Sequence, residues 1–114
     1  MESDTSAGTS ARFIQLCNER HWQVARDMLH DDVVYHGDDT HLFDAASIVE
    51  HFRTLVVDQK ASFIIHMAMC NNNEHAVVGY PCMRPSLPPE RIVCFFDFAG
   101  EKIIRMHSRV EHLP

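Results

Sequence analysis

The chain has 114 residues, a formal net charge of -6 and ten basic residues scattered along it. This length suits one domain with its own core. The acidic balance disfavours nucleic acid or an anionic membrane as a partner, because both reward clustered lysine and arginine. No secretory leader pattern and no apolar run near the roughly 18 residues of a membrane span is evident, so a cytoplasmic protein is expected.

The cysteines and histidines give no metal or redox pattern. Cys17, Cys70, Cys82 and Cys94 are widely spaced without a CxxC pair, and the nine histidines include no HxH or HExxH motif. Closely spaced ligands of this kind are the usual sequence signature of structural and catalytic zinc. We therefore expect no metal site and no cofactor, with most cysteines reduced and in the core.

Apolar residues at helical spacing predict three helices in the first half of the chain. The first eight residues are small and polar and are predicted to form a disordered tail, leaving 9–114 as a single domain. Thr9 or Ser10 can cap the first helix and Asp44 the third. The predicted helices cover about 9–20, 22–29 and 44–57.

The second half is rich in strand signals. A short strand is predicted at 33–36, and longer ones at 62–69 and 76–83, with Pro81 expected at an edge or a bulge. A final hairpin should turn at Gly100, between arms at about 91–98 and 102–111. Strict alternation along its second arm would place Met106 and Ser108 on an apolar face, and Ile103 with His107 on a charged face.

This order of elements, together with two segments, resembles a known superfamily. The segments are CNERHWQVARDMLHDDVVYHG at 17–37 and GEKIIRMHSRVE at 100–111. They are similar to nuclear transport factor 2-like proteins, especially the SnoaL-like (polyketide cyclase-like) branch, over about 10–112. The resemblance implies a cone-shaped α+β fold, with three N-terminal helices packed on a curved, mostly antiparallel sheet.

Several positions of this chain correspond, by this resemblance, to catalytic positions in enzymes of the superfamily. Tyr35 and His66 correspond to the strand tyrosine and the first histidine of scytalone-dehydratase-like enzymes, and VVGY at 77–80 resembles one of their strands. Their second histidine corresponds to Pro81. The general base of ketosteroid-isomerase-like enzymes corresponds to Gly37.

Three residues are candidate catalytic groups. His66 could shuttle a proton near neutral pH, or be a core histidine with one hydrogen bond. Tyr35 could donate its hydroxyl to a developing oxyanion, or be a strand aromatic. Asp97 lies in an apolar strand where burial would raise its pKa, although pairing with Arg91 or Arg105 across the hairpin is the other interpretation.

The resemblance implies a cofactor-independent isomerase, cyclase or dehydratase of secondary metabolism. It would act, by proton transfer or by folding the substrate, on a small hydrophobic oxygenated molecule of polyketide or terpenoid type. A homodimer is expected. The residues predicted to contact substrate are Phe13, Cys17, Trp22, Phe52, Tyr80, Phe96, Met106 and Ser108. The alternative is a non-catalytic ligand-binding or dimerisation module, for which we expect a cavity filled by side chains.

Overall fold

The computed structural model describes residues 5–72 and 74–111. The helices in this part of the chain are α1 (Ser6–Asn18), α2 (Trp22–Asp27) and α3 (Ala45–Arg53), and α3 continues into a π-helical turn, Thr54–Asp58. The strands are β1 (Leu29–His36), β2 (His41–Leu42), β3 (Ser62–Phe63), β4 (Met67–Asn72), β5 (His75–Met83), β6 (Glu90–Ala99) and β7 (Lys102–Glu111).

The strands form one curved, open, mixed sheet. Its order is β2-β1-β7-β6-β5-β3, and β4 also pairs with β5. Only β1 and β7 run parallel among the described pairs, and the other pairs are antiparallel. The predicted α+β, nuclear transport factor 2-like fold, with three helices on a mostly antiparallel sheet, is therefore confirmed.

The helices cover one face of the sheet, which we call the inner face, and leave the outer face to solvent. Phe13 of α1 packs edge-to-face against Phe52 of α3 and Phe96 of β6, with ring centroids 5.6 and 6.4 Å apart. All three rings are almost completely buried. Edge-to-face aromatic packing of this kind holds the helical layer on the sheet. Within the described residues, no helix is long and apolar enough to cross a bilayer.

Helix α1 begins earlier than predicted, so a tail reaching to Gly8 is wrong for residues 6–8, while residues 1–4 lie outside the described residues. The hydroxyl of Thr5 accepts a hydrogen bond from the Gly8 amide and so caps the helix. Ser6 donates its hydroxyl to the Asn72 carbonyl at 2.5 Å. A side-chain cap and a tether to the sheet give the first turn a stability that its composition does not reveal.

The predicted strand 62–69 is interrupted, because its partner contains a proline. Phe63 pairs with Cys82 and Met67 with Gly79, so the three residues 64–66 lie opposite two residues of β5. One of those two is Pro81, which has no N–H for the ladder. The bulge expected at Pro81 is therefore found, but alternation does not continue through it, and His66 does not share a regular strand face with Ala68.

A second irregularity corrects the predicted faces of β7. Asp97 pairs with Arg105 but Phe98 with Ile103, so Ile104 is an extra residue. A bulge of this kind reverses the alternation of side chains beyond it. Ile103 is consequently fully buried rather than on the charged face.

The elements near 29 and 44 differ from prediction only in their bounds. Helix α2 ends at Asp27 and the chain enters β1 at Leu29, which pairs with Ile103. Asp44 caps α3 as predicted, accepting from the Ser47 amide at 2.7 Å. These bounds carry β1 towards the open end of the cone, where Tyr35 lies.

Candidate functional site

A cavity of about 350 Å³ lies between the end of α3 and the inner face of the sheet. Its volume falls in the lower part of the range for small-molecule sites. Its lining residues are Tyr35, Gly37, Asp38, Asp39, Thr40, His51, Phe52, Leu55, Phe63, Tyr80, Cys82, Arg84, Glu90, Ile92, Ser108 and Val110. The cavity is therefore open rather than filled by side chains.

Two hydroxyl groups meet at the deep end of the cavity. Tyr35 Oη and Ser108 Oγ are 2.5 Å apart, and both residues are buried. They come together because β1 and β7 are neighbours, with Tyr35 in register with Met106. Gly37 leaves the pair accessible, since a Cβ there would lie 3.3 Å from Tyr35 Cε1 and 3.6 Å from Ser108 Oγ.

Both hydroxyls are protonated at neutral pH. Burial raises the pKa of Tyr35 to about 12, while the hydrogen bond with Ser108 opposes this shift. Two hydroxyls carry two protons, and one hydrogen bond between them uses only one. The second proton can be donated to an oxygen of a bound molecule.

His51 of α3 supplies a base beside this pair. Its ring centroid is 5.2 Å from that of Tyr35, and both residues line the cavity. Burial lowers the pKa of His51 below its ordinary value of 6.5. The imidazole is therefore neutral at pH 7 and can accept a proton.

The mouth of the cavity is charged. Arg84 forms an ion pair with Glu90 and donates to Gln59 Oε1 at 2.9 Å. Asp38 and Asp39 lie on the opposite side, in the turn between β1 and β2. Because three carboxylates face one guanidinium, the mouth favours a neutral or cationic molecule over an anion.

The walls between these ends are apolar. Phe63 and Tyr80 pack with ring centroids 5.3 Å apart. Burial raises the pKa of Tyr80 well above its ordinary value and also raises that of Cys82. Since the thiolate is the nucleophilic form, Cys82 is a wall residue rather than a nucleophile at neutral pH. All four cysteines are free, and Cys70 is the exposed one.

The predicted substrate contacts divide into two groups. Phe52, Tyr80 and Ser108 line the cavity, as does the predicted catalytic Tyr35. The other five do not line it. Four of them pack in the core: Phe13, Cys17, Phe96 and Met106. The fifth, Trp22, is half-buried at the start of α2. Burial raises the pKa of Cys17 far above its ordinary range, which excludes a thiolate there.

The structure does not bring His66 or Asp97 to Tyr35. His66 is exposed in the bulge between β3 and β4, and its backbone amide donates to the Gly79 carbonyl at 3.0 Å. Asp97 lies on the outer face, 2.8 Å from His75 Nδ1 and 3.4 Å from Arg105 Nη1. The interpretation that Asp97 pairs with Arg105 across the hairpin is confirmed.

Sequence reasoning missed His51, Arg84 and Glu90. A signal for His51 existed, because it lies three residues after Ile48 and four before Leu55, on the apolar stripe of α3. Nothing local marks Arg84 and Glu90, which flank a proline-containing loop and meet only in three dimensions. In residues 5–72 and 74–111, no three potential metal ligands are placed to hold an ion.

The fold of this chain recurs in many solved structures, although no protein-family model and no curated protein matches its sequence. A nuclear transport factor 2-like protein from Cytophaga hutchinsonii superposes with a TM-score of 0.79 at 12% identity, covering 96% of this chain and 93% of that one. A protein from Kribbella flavida with the provisional name ketosteroid isomerase gives 0.86 at 13% identity, covering 98% and 83%.

A third structure carries a different provisional name. A protein from Xanthomonas campestris, provisionally a polyketide cyclase, superposes with a TM-score of 0.76 at 15% identity, covering 91% of this chain and 88% of that one. At such identities the likeness establishes the shared nuclear transport factor 2-like fold, as the sequence resemblance predicted. Activity has to be argued from the site itself.

Proposed function

We propose that the protein is a cofactor-independent enzyme that moves a proton next to the carbonyl group of a small, neutral, mostly apolar substrate. The observation that carries this proposal is the buried Tyr35–Ser108 hydroxyl pair beside neutral His51 in an apolar cavity. The isomerases and cyclases named among similar folds are consistent with this reaction class.

The proposed reaction has two proton transfers. The substrate carbonyl accepts a hydrogen bond from the free hydroxyl proton of the pair, while His51 removes a proton from the adjacent carbon. The electron pair of the broken C–H bond moves to the carbonyl oxygen, and the donated hydrogen bond stabilises the resulting enolate. His51 then returns its proton to another carbon, which gives an isomer, or to a leaving hydroxyl group, which gives a dehydrated product.

The cavity limits the size of the substrate. A volume of about 350 Å³ corresponds to roughly a dozen water molecules at about 30 Å³ each. A substrate with one or two rings, of polyketide or terpenoid type, fits this volume better than a fused tetracycle. The charges at the mouth favour a molecule without a carboxylate.

The reaction can be tested without the natural substrate. β-Tetralone, a neutral bicyclic ketone, is incubated with the protein in deuterated water, and proton NMR follows the loss of its α-proton signals. We expect the wild type to accelerate exchange and Tyr35→Phe to slow it at least tenfold, with circular dichroism confirming the fold of both. Equal rates for the two proteins would refute the role of Tyr35.

A non-catalytic ligand-binding module is the second candidate. In the described part of the chain, His51 has no carboxylate hydrogen-bonded to its ring, whereas a base is often oriented by such a partner. If a panel of cyclic ketones binds saturably, as seen by ligand-observed NMR, and none exchanges faster than in buffer, the binding module is correct and the enzyme is not.

We also propose that the outer face pairs with a second copy of the chain. Met69, Val77 and Phe95 are register neighbours on β4, β5 and β6, and Met69 and Phe95 are exposed. Ion pairs on the same face, such as Arg91 with Glu111, present both charges, and a two-fold interface needs such a self-complementary surface. Sedimentation should show a dimer that Phe95→Glu dissociates. A wild-type monomer at high concentration would contradict this.

A further inference from the structure

Two histidines join the ends of the turn that forms one side of the cavity mouth. His36 ends β1 and His41 begins β2, and the two residues are register partners. Their Nδ1 atoms are 2.9 Å apart, with ring centroids at 5.1 Å. Because the ring centroids are much farther apart than the two nitrogens, each Nδ1 lies on the side of its ring that faces the other histidine. This is the geometry of an N–H···N hydrogen bond.

The turn closed by this pair holds cavity-lining residues in place. The Gly37 amide donates to the Thr40 carbonyl at 2.7 Å, and the Val110 amide donates to Asp38 Oδ2 at 3.3 Å. Gly37, Asp38 and Thr40 all line the cavity. The outer-face histidine pair and the inner-face cavity are therefore connected through four residues of backbone.

From this arrangement we propose that the His36–His41 pair is a pH-sensitive latch that opens the β1–β2 turn, and with it the cavity mouth, in acid. An N–H···N bond needs one nitrogen with a free lone pair. One imidazolium preserves the bond, but two imidazoliums remove the acceptor and place like charges together. At the observed separations, Coulomb repulsion in bulk water alone favours opening by about four- to tenfold.

The charges that surround the histidine pair have both signs. His107 of β7 is the register neighbour of His36, and Arg105 and Arg109 lie on the same outer face beside His107. The acidic groups nearby are Asp38 and Asp39 of the turn itself. Phe43, whose ring centroid is 6.5 Å from that of His36, adds no charge. The arginines disfavour a doubly protonated pair, whereas the two aspartates favour it, and Arg105 is itself paired with Asp97. The opening therefore rests on the lost acceptor and on the repulsion between the two imidazoliums.

The latch rests on the proposed function only in treating the cavity as a ligand site, because its opening is measurable without a ligand. Amide hydrogen exchange by NMR reports directly on the Gly37 and Val110 amides. After correction for intrinsic exchange, we expect their protection in the wild type to fall at least fourfold between about pH 7.5 and about pH 5, the range in which imidazoles take up protons. His41→Gln should show low, pH-independent protection, and His21→Gln, at an exposed histidine far from the turn, should behave as wild type.

Two results would overturn the latch: constant wild-type protection across this range, or a His41→Gln variant that keeps the wild-type fall. Failure of the β-tetralone assay alone would leave these results unchanged.

Discussion

The two faces of one sheet each carry a small cluster of polar side chains, and the clusters differ in their access to water. On the outer face, His75, Asp97 and Arg105 form a histidine–carboxylate pair at 2.8 Å with an arginine beside it. On the inner face, Tyr35 and Ser108 share a short hydrogen bond next to a histidine. By residue type alone, the outer cluster is the more familiar acid–base arrangement.

Burial makes the inner cluster suited to acid–base chemistry. The side chains of His75 and Arg105 are 56% and 62% exposed, so water screens their interactions. At the inner cluster, burial raises the pKa of Tyr35 and lowers that of His51, and an adjoining cavity offers room for a substrate. Polar side chains can act on a substrate when they are shielded from water and also adjoin a cavity that can hold it.

The largest expected effect is on stability, where removing an aromatic ring from the inner face should cost much more than removing one from the outer face. Phe52 is buried between Phe13 and Tyr35, with ring centroids 5.6 and 6.1 Å away. Phe52→Ala should lower the free energy of unfolding by about 3–5 kcal/mol, because it removes a core ring and leaves a void. Phe95→Ala, at a ring that is 44% exposed on the outer face, should cost less than about 1 kcal/mol. Urea denaturation of monomeric protein measures both, and similar losses would contradict the assignment of the core.

The next effect separates the faces by activity. His51→Gln should slow β-tetralone exchange about a hundredfold, the lower end of the contribution of a general base. His75→Gln is the matched control, because it makes the same substitution on the outer face, and it should leave the exchange rate within about twofold of wild type. His66→Gln tests the histidine that the sequence favoured. A large loss from His66→Gln with none from His51→Gln would move the base out of the cavity.

The pH profile sharpens the assignment of His51. The neutral imidazole is the active form, and burial holds its pKa below 6.5. The wild-type exchange rate should therefore rise with pH through that lowered pKa and be level by pH 7. Loss of the Tyr35 proton should end the plateau only near its pKa of about 12. In His51→Gln the acidic limb should disappear, and its persistence would assign that limb to another group.

The overall fold was predictable because it depends on repeating patterns. Helical stripes, strand alternation and the Gly100 turn identified the layers, and the resemblance supplied their arrangement. The bulges at 64–66 and at Ile104 were not predictable in position, because an extra residue reverses alternation without changing composition. Those two shifts explain why Ile103 was assigned to the wrong sheet face and why His66 lies outside a regular strand.

The site was predictable only in part, because it is assembled from distant segments. Tyr35 and Ser108 were found through a resemblance and a strand pattern, whereas their hydrogen bond joins residues 73 positions apart. His51 was overlooked because a polar residue on a helical stripe is ordinarily read as its border. Arg84 and Glu90 become a pair only when the loop after β5 returns to β6.

A smaller effect is expected from covering the inner hydroxyl pair. Gly37→Ala adds a methyl group 3.3 Å from the Tyr35 ring and 3.6 Å from Ser108 Oγ. This contact should weaken β-tetralone binding about tenfold, or roughly 1.4 kcal/mol, with little change in stability. Gly8→Ala adds the same methyl group on α1, away from the cavity, and is the matched control. Ligand-observed NMR measures both, and equal affinities for the two variants would show that the ligand does not reach the hydroxyl pair.

The smallest effect concerns a polar group that is buried without a cavity. Ser10 of α1 is fully buried and its hydroxyl has no hydrogen-bond partner among residues 5–72 and 74–111, whereas Ser6, one turn earlier, donates to the Asn72 carbonyl. Ser10→Ala should raise the free energy of unfolding by about 1 kcal/mol, because it removes a hydroxyl that lost its hydration on burial without gaining a hydrogen bond. Ser6→Ala should lower the free energy of unfolding by about 1 kcal/mol, because it removes a hydrogen bond. Urea denaturation followed by circular dichroism measures both. If Ser10→Ala also destabilises the protein, the Ser10 hydroxyl has a partner. Ser10 would then be a hydrogen-bonded buried group like Tyr35 and Ser108, and the contrast with the inner cluster would be lost.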